Sequence, residues 1–155
     1  MCVNTIGRGA YTTLLSVSDT TACCDMDKCN SMGCNGGQIG QAWKWLDSEG
    51  AVTGGDYGTT GTCYNYTMPK CAHHVTSETL PLCDDVKQVA PKCVSICPDD
   101  HTSHFYGDDK HRAASHYKFR SVNQIKRDLH KNGPVTSAFT VYEDFLTYKS
   151  GVYSH

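Results

Sequence analysis

The chain has 155 residues, 10 cysteines and a formal net charge of −2 at pH 7. This length allows one or two small domains. A nearly balanced charge without any run of Lys or Arg argues against a nucleic-acid partner. No apolar stretch is long enough to span a membrane.

Two helices are predicted in the first part of the chain. A short helical turn is predicted at 18–24, with Ser18 as N-cap and Asp19 near the positive end of the helix dipole. A longer amphipathic helix is predicted at 39–49, and Gly50 follows as a stop signal. Its apolar positions recur at i, i+3, i+4 and i+7 and are Ile39, Ala42, Trp43 and Leu46.

The sequence changes character twice after this helix. Residues 50–117 are rich in Gly, Pro, Thr, Asp and Cys and show no sustained periodicity, so we expect cross-links to hold them. A capping box at Ser121 opens a helix that runs to about Lys131 and ends at Gly133. Residues 135–142 place apolar side chains on one face, which predicts a strand.

The density of cysteines is the strongest signal in the composition. It favours an oxidising compartment and a disulfide framework. The alternative is a structural zinc protein, but no C-x-x-C pair exists, and Cys93 and Cys97 lack a second pair at zinc-knuckle spacing. Residues 1–5 carry neither the basic nor the apolar region of a signal peptide, so we expect a processed product or an internal piece of a longer protein.

Two motifs carry a resemblance to a known family. The first is the C-N-G-G segment at 34–37, which precedes the Trp-bearing helix and a V-T-G-G segment at 52–55. The second is a cysteine-bounded loop at 71–83 with a pair of histidines at 73–74. Together with the stretch at 132–153, these motifs resemble the papain-like cysteine peptidases and, within them, the cathepsin B-like group. The likeness covers nearly the whole chain.

The resemblance implies an α+β, disulfide-rich fold with a mainly helical left domain and a β-rich right domain. Residues 1–117 would form part of the left domain, including the loop at 71–83, which that family calls the occluding loop. Residues 118–155 would begin the right domain. We expect both domains to be incomplete, because the family's central helix has no counterpart in this sequence.

The resemblance also implies the chemistry of a lysosomal or secreted peptidase. Relatives of this kind act as endopeptidases and as C-terminal peptidyl-dipeptidases, through a Cys thiolate activated by a His. The family's nucleophile motif, Q-x-x-x-C-x-S-C-W, is absent here, and its catalytic His and Asn would follow His155. We therefore assign no catalytic residue and expect the chain alone to be inactive and to fold poorly. The alternative is a non-catalytic, disulfide-rich module that binds a protease or an inhibitor.

Four residues are implied to bind the substrate peptide. Asn35, Gly36 and Gly37 would let the backbone approach an extended peptide and pair with it as an added strand. Ala138 would line the pocket for the second residue of the substrate. Its alternative role is that of a small residue on a packed strand.

The histidine pair has a separate implied role. In the family, the positions of His73 and His74 bind the C-terminal carboxylate of the substrate. A cationic imidazole at acidic pH suits that role. The alternatives are a solvated surface pair and a metal site.

The resemblance also assigns most of the cysteines. Cys2 and Cys34 are left without partners, because the family's partners lie upstream; the alternative is that these two pair with each other. The implied disulfides are Cys23–Cys93, Cys24–Cys29, Cys63–Cys97 and Cys71–Cys83.

The remaining predictions concern modification, ligands and partners. Asn65 begins a glycosylation sequon, although such sequons also occur by chance. No cofactor and no metal is predicted. The implied partners are peptide or protein substrates, the enzyme's own propeptide and cystatin-like inhibitors. A group of acidic and histidine side chains is better explained as a solvated loop than as a metal site, and it comprises Asp99, Asp100, His101, His104, Asp108, Asp109 and His111.

Overall fold

The computed structural model describes residues 13–72, 76–87, 89–98 and 105–154. Within these ranges the backbone forms four α-helices and three 3-10 turns, and strand-like pairing is limited to isolated bridges. The helices are α1 (Val17–Cys23), α2 (Met26–Cys29), α3 (Ile39–Ser48) and α4 (Val122–Asn132), and the turns lie at Gly33–Asn35, Cys83–Asp85 and Glu143–Thr147.

The N-cap of α1 is Ser16, so the prediction of Ser18 as the cap is wrong. Ser16 has an extended backbone, and its Oγ accepts a hydrogen bond from the Asp19 N–H at 2.9 Å. The same hydroxyl donates to the Tyr64 carbonyl at 2.6 Å. Ser18 has the same capping chemistry but lies inside the helix, with its side chain buried. The contact with Tyr64, 48 positions along the chain, favours Ser16 over Ser18 as the N-cap, and no local sequence pattern contains this contact.

The prediction of α3 is confirmed to within one residue at its end. Trp45 is the buried residue of this helix, and Ala42 and Leu46 pack against the same core. The predicted apolar face is wrong at two positions, because Ile39 is 40% exposed and Trp43 is half-buried outside this core. The Trp43 Nε1–H donates to the Thr136 Oγ1 at 3.2 Å, which ties the helix to the second half of the chain.

The prediction of α4 is also confirmed, with Ser121 as its N-cap. The Ser121 Oγ accepts from the Gln124 N–H at 3.3 Å. The Gln124 Oε1 accepts a hydrogen bond from the Arg120 N–H at 2.7 Å, and Arg120 lies one residue before the N-cap. The apolar stripe of this helix, formed by Val122, Ile125 and Leu129, remains outside the described core, because Val122 is 66% exposed and Leu129 is 45% exposed.

The prediction of a strand at 135–142 is wrong. The backbone in this segment belongs to no strand and forms no bridge with the rest of the described chain. An extended segment becomes a strand only when another strand satisfies its N–H and C=O groups. Here the neighbouring aromatic side chains pack on one another instead, with the Phe145 ring 5.2 Å from that of Phe139 and 4.9 Å from that of Tyr153. Residues 118–154 therefore do not show the expected β-rich character.

Residues 51–54 form the centre of the described core. The Val52 carbonyl accepts from the Ser16 N–H at 2.8 Å, and Ala51 and His111 exchange two backbone hydrogen bonds at 3.0 and 2.8 Å. Ala51 and Val52 are both fully buried. Two apolar clusters flank this segment, one of Cys23, Cys24, Cys29, Trp45 and Ala51 and the other of Val52, Cys63, Tyr64 and Cys97.

Disulfides cross-link the irregular part of the chain, and one of them, Cys23–Cys93, joins it to α1. Three of them join residues separated by 70, 34 and 12 positions, and each such cross-link contributes about 2–4 kcal/mol to stability. Cys34 is exposed and is not part of a disulfide, whereas Cys2 lies outside the described residues. The bonded pairs are Cys23–Cys93, Cys24–Cys29, Cys63–Cys97 and Cys71–Cys83, the same four that the family resemblance implies.

A buried ion pair connects three separate parts of the chain. The fully buried Asp19 carboxylate accepts from the Lys110 Nζ at 2.8 Å and from the Val52 N–H at 3.1 Å through Oδ2. Its Oδ1 accepts from the Tyr106 hydroxyl at 2.6 Å. Burial, assisted by this hydrogen bond, raises the pKa of Tyr106, so the phenol stays neutral. The Lys110 Nζ also donates to the Gly50 carbonyl at 3.1 Å.

We expect Asp19→Ala to destabilise the protein by about 3–5 kcal/mol, because it leaves the Lys110 cation buried without its partner. Asp56→Ala is the matched control, since it breaks an exposed ion pair with Lys70 that contributes little. The double substitution Asp19→Leu with Lys110→Met should cost less than Asp19→Ala alone. Urea unfolding followed by near-UV circular dichroism measures all three. Equal losses for Asp19→Ala and Asp56→Ala would contradict this account.

Candidate functional site

The C-N-G-G segment forms a tight, exposed turn after α2. Its Gly36 carbonyl accepts from the Met32 N–H at 2.8 Å and from the Ser31 hydroxyl at 3.3 Å. Gly36 has φ +107°, a left-handed conformation that glycine adopts without strain. These contacts direct the Gly36 carbonyl inward. No residue in the described ranges hydrogen-bonds to the N–H or the carbonyl of Gly37.

Position 37 requires a glycine because the Ser31 side chain lies too close to leave room for a Cβ atom. A Cβ atom at this position would lie 2.7 Å from the Ser31 Oγ and 2.9 Å from the Ser31 Cβ. The sequence singled out Gly37 but not Ser31, and no local signal identifies a serine six positions before a glycine as its packing partner. The turn is held mainly by the Met32 N–H bond to the Gly36 carbonyl, and Ser31 is the residue that packs against Gly37.

A cavity of about 420 Å³ lies beside the turn. Its lining includes the exposed Cys34 and Asn35, and the exposed Met26 and Met32 contribute apolar surface. Ala90 and Pro91 also line it. The lining of this cavity therefore contains both polar and apolar groups, and it includes residues of the turn at 34–37.

The loop at 71–83 is closed at its base by the Cys71–Cys83 disulfide and by two backbone hydrogen bonds. The Ala72 N–H donates to the Pro81 carbonyl at 2.7 Å, and the Cys83 N–H donates to the Ala72 carbonyl at 3.2 Å. Further along, the Ser77 Oγ accepts from the Leu80 N–H at 3.1 Å. His73 and His74 lie outside the described residues, so their assignment to carboxylate binding stays a prediction.

Ala138 lies in the exposed, unpaired segment that follows α4. The segment is held to α3 through the hydrogen bond between Trp43 and Thr136. This contact brings the segment to the helix that follows the glycine pair. The assignment of Ala138 to a substrate pocket stays a prediction.

The acidic and histidine group is only partly described. Asp109 is buried, and its Oδ2 accepts from the Thr53 N–H at 2.7 Å and from the Thr53 hydroxyl at 2.8 Å. Its carboxylate lies within 4.8 Å of the sulfurs of Cys63 and Cys97, but these are joined in a disulfide and offer no thiolate. The residues Asp99, Asp100, His101 and His104 lie outside the described ranges.

Comparison with known proteins identifies the class of this chain. A profile of the family described as "Papain family cysteine protease" matches residues 2–155. The chain therefore belongs to the papain family of cysteine proteases. None of the helices in the described ranges is long and apolar enough to cross a membrane.

Within the family, the chain is similar to cathepsin B-like proteins, as predicted. It is 41% identical to "Cathepsin B-like cysteine proteinase 5" and 40% identical to "Cathepsin B-like cysteine proteinase 4", both of Caenorhabditis elegans, with 96% of this chain and 44% of each relative covered. It is 38% identical to "Cathepsin B-like cysteine proteinase 6" of the same organism, with 96% of this chain and 38% of that relative covered. The chain thus spans less than half the length of these curated relatives.

The environment of Asn65 bears on the glycosylation sequon. Asn65 is only 4% exposed, and its Nδ2, the atom to which a glycan would be attached, donates to the Thr59 carbonyl at 2.8 Å. Its Oδ1 accepts from the Thr62 hydroxyl at 2.5 Å. A glycan at this nitrogen requires the side chain to leave its buried position.

We expect the folded protein, secreted from eukaryotic cells, to carry no glycan on Asn65, because attachment would break these buried hydrogen bonds. Met32→Thr is the positive control, since it creates a second sequon at the exposed Asn30. Mass measurement before and after enzymatic deglycosylation should show a shift for the control variant only. A glycan on Asn65 in the folded, secreted protein would contradict the expectation.

Proposed function

We propose that this chain carries substrate-binding parts of a cathepsin B-like cysteine peptidase, whose nucleophile, catalytic His and catalytic Asn belong to protein outside these 155 residues. The observation that carries the proposal is the turn at 34–37 in a member of the papain family, where the backbone of Gly37 has no hydrogen-bond partner among the described residues. Such a glycine suits pairing with an extended peptide.

The chemistry of the described cysteines supports a catalytic centre elsewhere. A cysteine peptidase needs a thiolate activated by a histidine within hydrogen-bonding distance. Cys34 is the free thiol of the described ranges, and no histidine there hydrogen-bonds to it. The other described cysteines are held in disulfides and cannot act as nucleophiles.

The substrate would lie along the outer side of the turn. The Gly36 carbonyl is already engaged by Met32 and Ser31, so the N–H and carbonyl of Gly37 are the groups offered to a peptide. Asn35 and the cavity beside it would contact the substrate's side chains. The closed base of the loop at 71–83 would hold His73 and His74 near the substrate's C-terminal carboxylate.

The same proposal assigns a compartment and partners. Four disulfides suit a lysosomal or secreted protein, because thiols stay reduced in the cytosol. Peptides and proteins are the proposed substrates of the intact peptidase. Its propeptide and cystatin-like inhibitors would occupy the same cleft as the substrate.

We expect the chain alone to show no hydrolysis of a dibasic fluorogenic peptide at pH 5–7. A chimera in which this chain replaces the matching segment of an active cathepsin B-like proteinase should hydrolyse that peptide, and a thiol-blocking reagent should abolish the activity. The nucleophile Cys→Ala variant of the chimera is the control for contaminating proteases. Thiol-sensitive hydrolysis by the isolated chain would refute the placement of the nucleophile outside it.

We expect Gly37→Ala in that chimera to raise KM about two- to tenfold, because the new Cβ would shift the backbone and one lost backbone hydrogen bond to the substrate is worth about 0.5–1.5 kcal/mol. Adding Ser31→Gly should restore much of the loss by removing the atoms that the new Cβ would meet. Gly107→Ala is the matched control, since a Cβ there meets no atom within 4 Å. An unchanged KM for Gly37→Ala would argue against peptide pairing at this glycine.

A further inference from the structure

The helix α3 presents two faces to different parts of the chain. One face packs in the described core and includes the buried Trp45. Gly40, Trp43 and Asp47 are spaced at i, i+3 and i+7, so the helical period places them together on another side of the helix. This second face meets residues that follow position 115.

The two ends of the second face contact the segment at 116–118. A Cβ atom on Gly40 would lie 3.0 Å from the Lys118 Cε, so the Lys118 side chain lies against the start of the helix. At the other end, the Asp47 Oδ2 lies 2.7 Å from the His116 Nδ1. These contacts hold the segment along the helix on both sides of Trp43.

Trp43 makes a contact that the other tryptophan of α3 does not make. Trp45 is 3% exposed, and its Nε1 has no hydrogen-bond partner among the described residues. Trp43 is half-buried, and its Nε1–H donates to the Thr136 Oγ1 at 3.2 Å, across 93 positions of the chain. An indole has one donor and no acceptor, so this bond uses the whole hydrogen-bonding capacity of Trp43. Trp45 therefore serves packing, and Trp43 joins two parts of the chain.

The bond lies between the two elements that the proposed function assigns to the substrate. The helix begins at Ile39, two residues after Gly37, and its rise of 1.5 Å per residue places Trp43 about 6 Å from that start. On the other side, Ala138 is two residues from Thr136, and two residues of chain span at most about 7 Å. The hydrogen bond therefore limits the positions that Ala138 can take relative to Gly37.

We propose that Trp43 is a positioning residue for the substrate. Its bond to Thr136 holds Ala138 at a fixed position relative to Gly37, so that one peptide can pair with Gly37 and place its second residue against Ala138. This inference rests on the proposed function, because it takes both residues as substrate contacts. A group held in a productive geometry binds better than one that must be ordered on binding.

A tryptophan that only packs would have a different effect from one that positions a pocket. Loss of packing lowers stability and affects every substrate alike. Loss of positioning affects a substrate that places a side chain against Ala138, and it spares a substrate with glycine at that residue. Thr136 is exposed, so Thr136→Val removes the acceptor with little effect on stability.

The test uses the full-length chimera and two fluorogenic peptides. One is the dibasic peptide, and the other has glycine at the second residue counted from the bond that is cut. Trp43→Phe and Thr136→Val should each lower the preference for the dibasic peptide, measured as the ratio of kcat/KM values, about threefold. This is the low end of what one hydrogen bond contributes, and the change should lie mainly in KM.

Three further variants make the test specific to this bond. The double variant Trp43→Phe with Thr136→Val should lose about threefold rather than ninefold, because both substitutions remove the same bond. Thr136→Ser keeps the hydroxyl and should keep the preference. Thr60→Val is the matched control, since it makes the same substitution at an exposed threonine elsewhere.

Two results would overturn the inference. One is an equal fall in kcat/KM for the two peptides in Thr136→Val, and the other is a ninefold, additive loss in the double variant. Gly37→Ala in the same chimera separates this failure from failure of the proposed function. If Gly37→Ala raises KM while Trp43→Phe and Thr136→Val leave the preference unchanged, the positioning role alone is wrong.

Discussion

The buried Asp19 carboxylate is the interaction on which the described core depends. It joins α1, the central segment at 51–54 and the segment around Lys110 through hydrogen bonds of 2.6 to 3.1 Å. A backbone N–H that is buried needs a partner, and among the described residues the central segment forms only isolated bridges and no full ladder. Asp19 satisfies the Val52 N–H, and Asp109 satisfies the Thr53 N–H at 2.7 Å. Two carboxylates thus take the place of sheet partners for consecutive residues.

This arrangement accounts for the close association of cystines with the core. Cysteines contribute to both apolar clusters, and the disulfide between Cys63 and Cys97 lies beside Asp109. The cross-links reduce the conformational freedom of the unfolded chain, while the carboxylates satisfy buried donors in the folded chain. The two devices act on different states of the protein. Together they stabilise a long irregular segment that could not be held by apolar burial alone.

Local signals were sufficient for part of the fold. The helix at Ile39–Ser48 and the helix at Val122–Asn132 follow from apolar periodicity and from the capping box at Ser121, because these patterns act within a few residues. The N-cap at Ser16 depends on a contact with Tyr64, and a strand at 135–142 depends on a partner strand. Neither condition can be read from the segment itself.

The candidate site shows the same division. The glycine pair at 36–37 is visible in the sequence, and the four disulfides follow the family resemblance. The packing of Ser31 against Gly37 and the network around Asp19 depend on the folded chain. The surface beside α4 is a further case, since Lys118 and Lys131 belong to no run of basic residues and line one cavity only when α4 packs beside the segment before it.

The two faces of α4 have separate consequences for the protein. Val122 and Leu129 leave an apolar stripe exposed, and burial of this stripe is the favourable outcome whenever more of the polypeptide packs against it. Arg127 and Lys131 lie about half a turn away around the helix. A surface that covers the apolar stripe would therefore leave these two cations in solvent, where a charged group avoids the cost of desolvation.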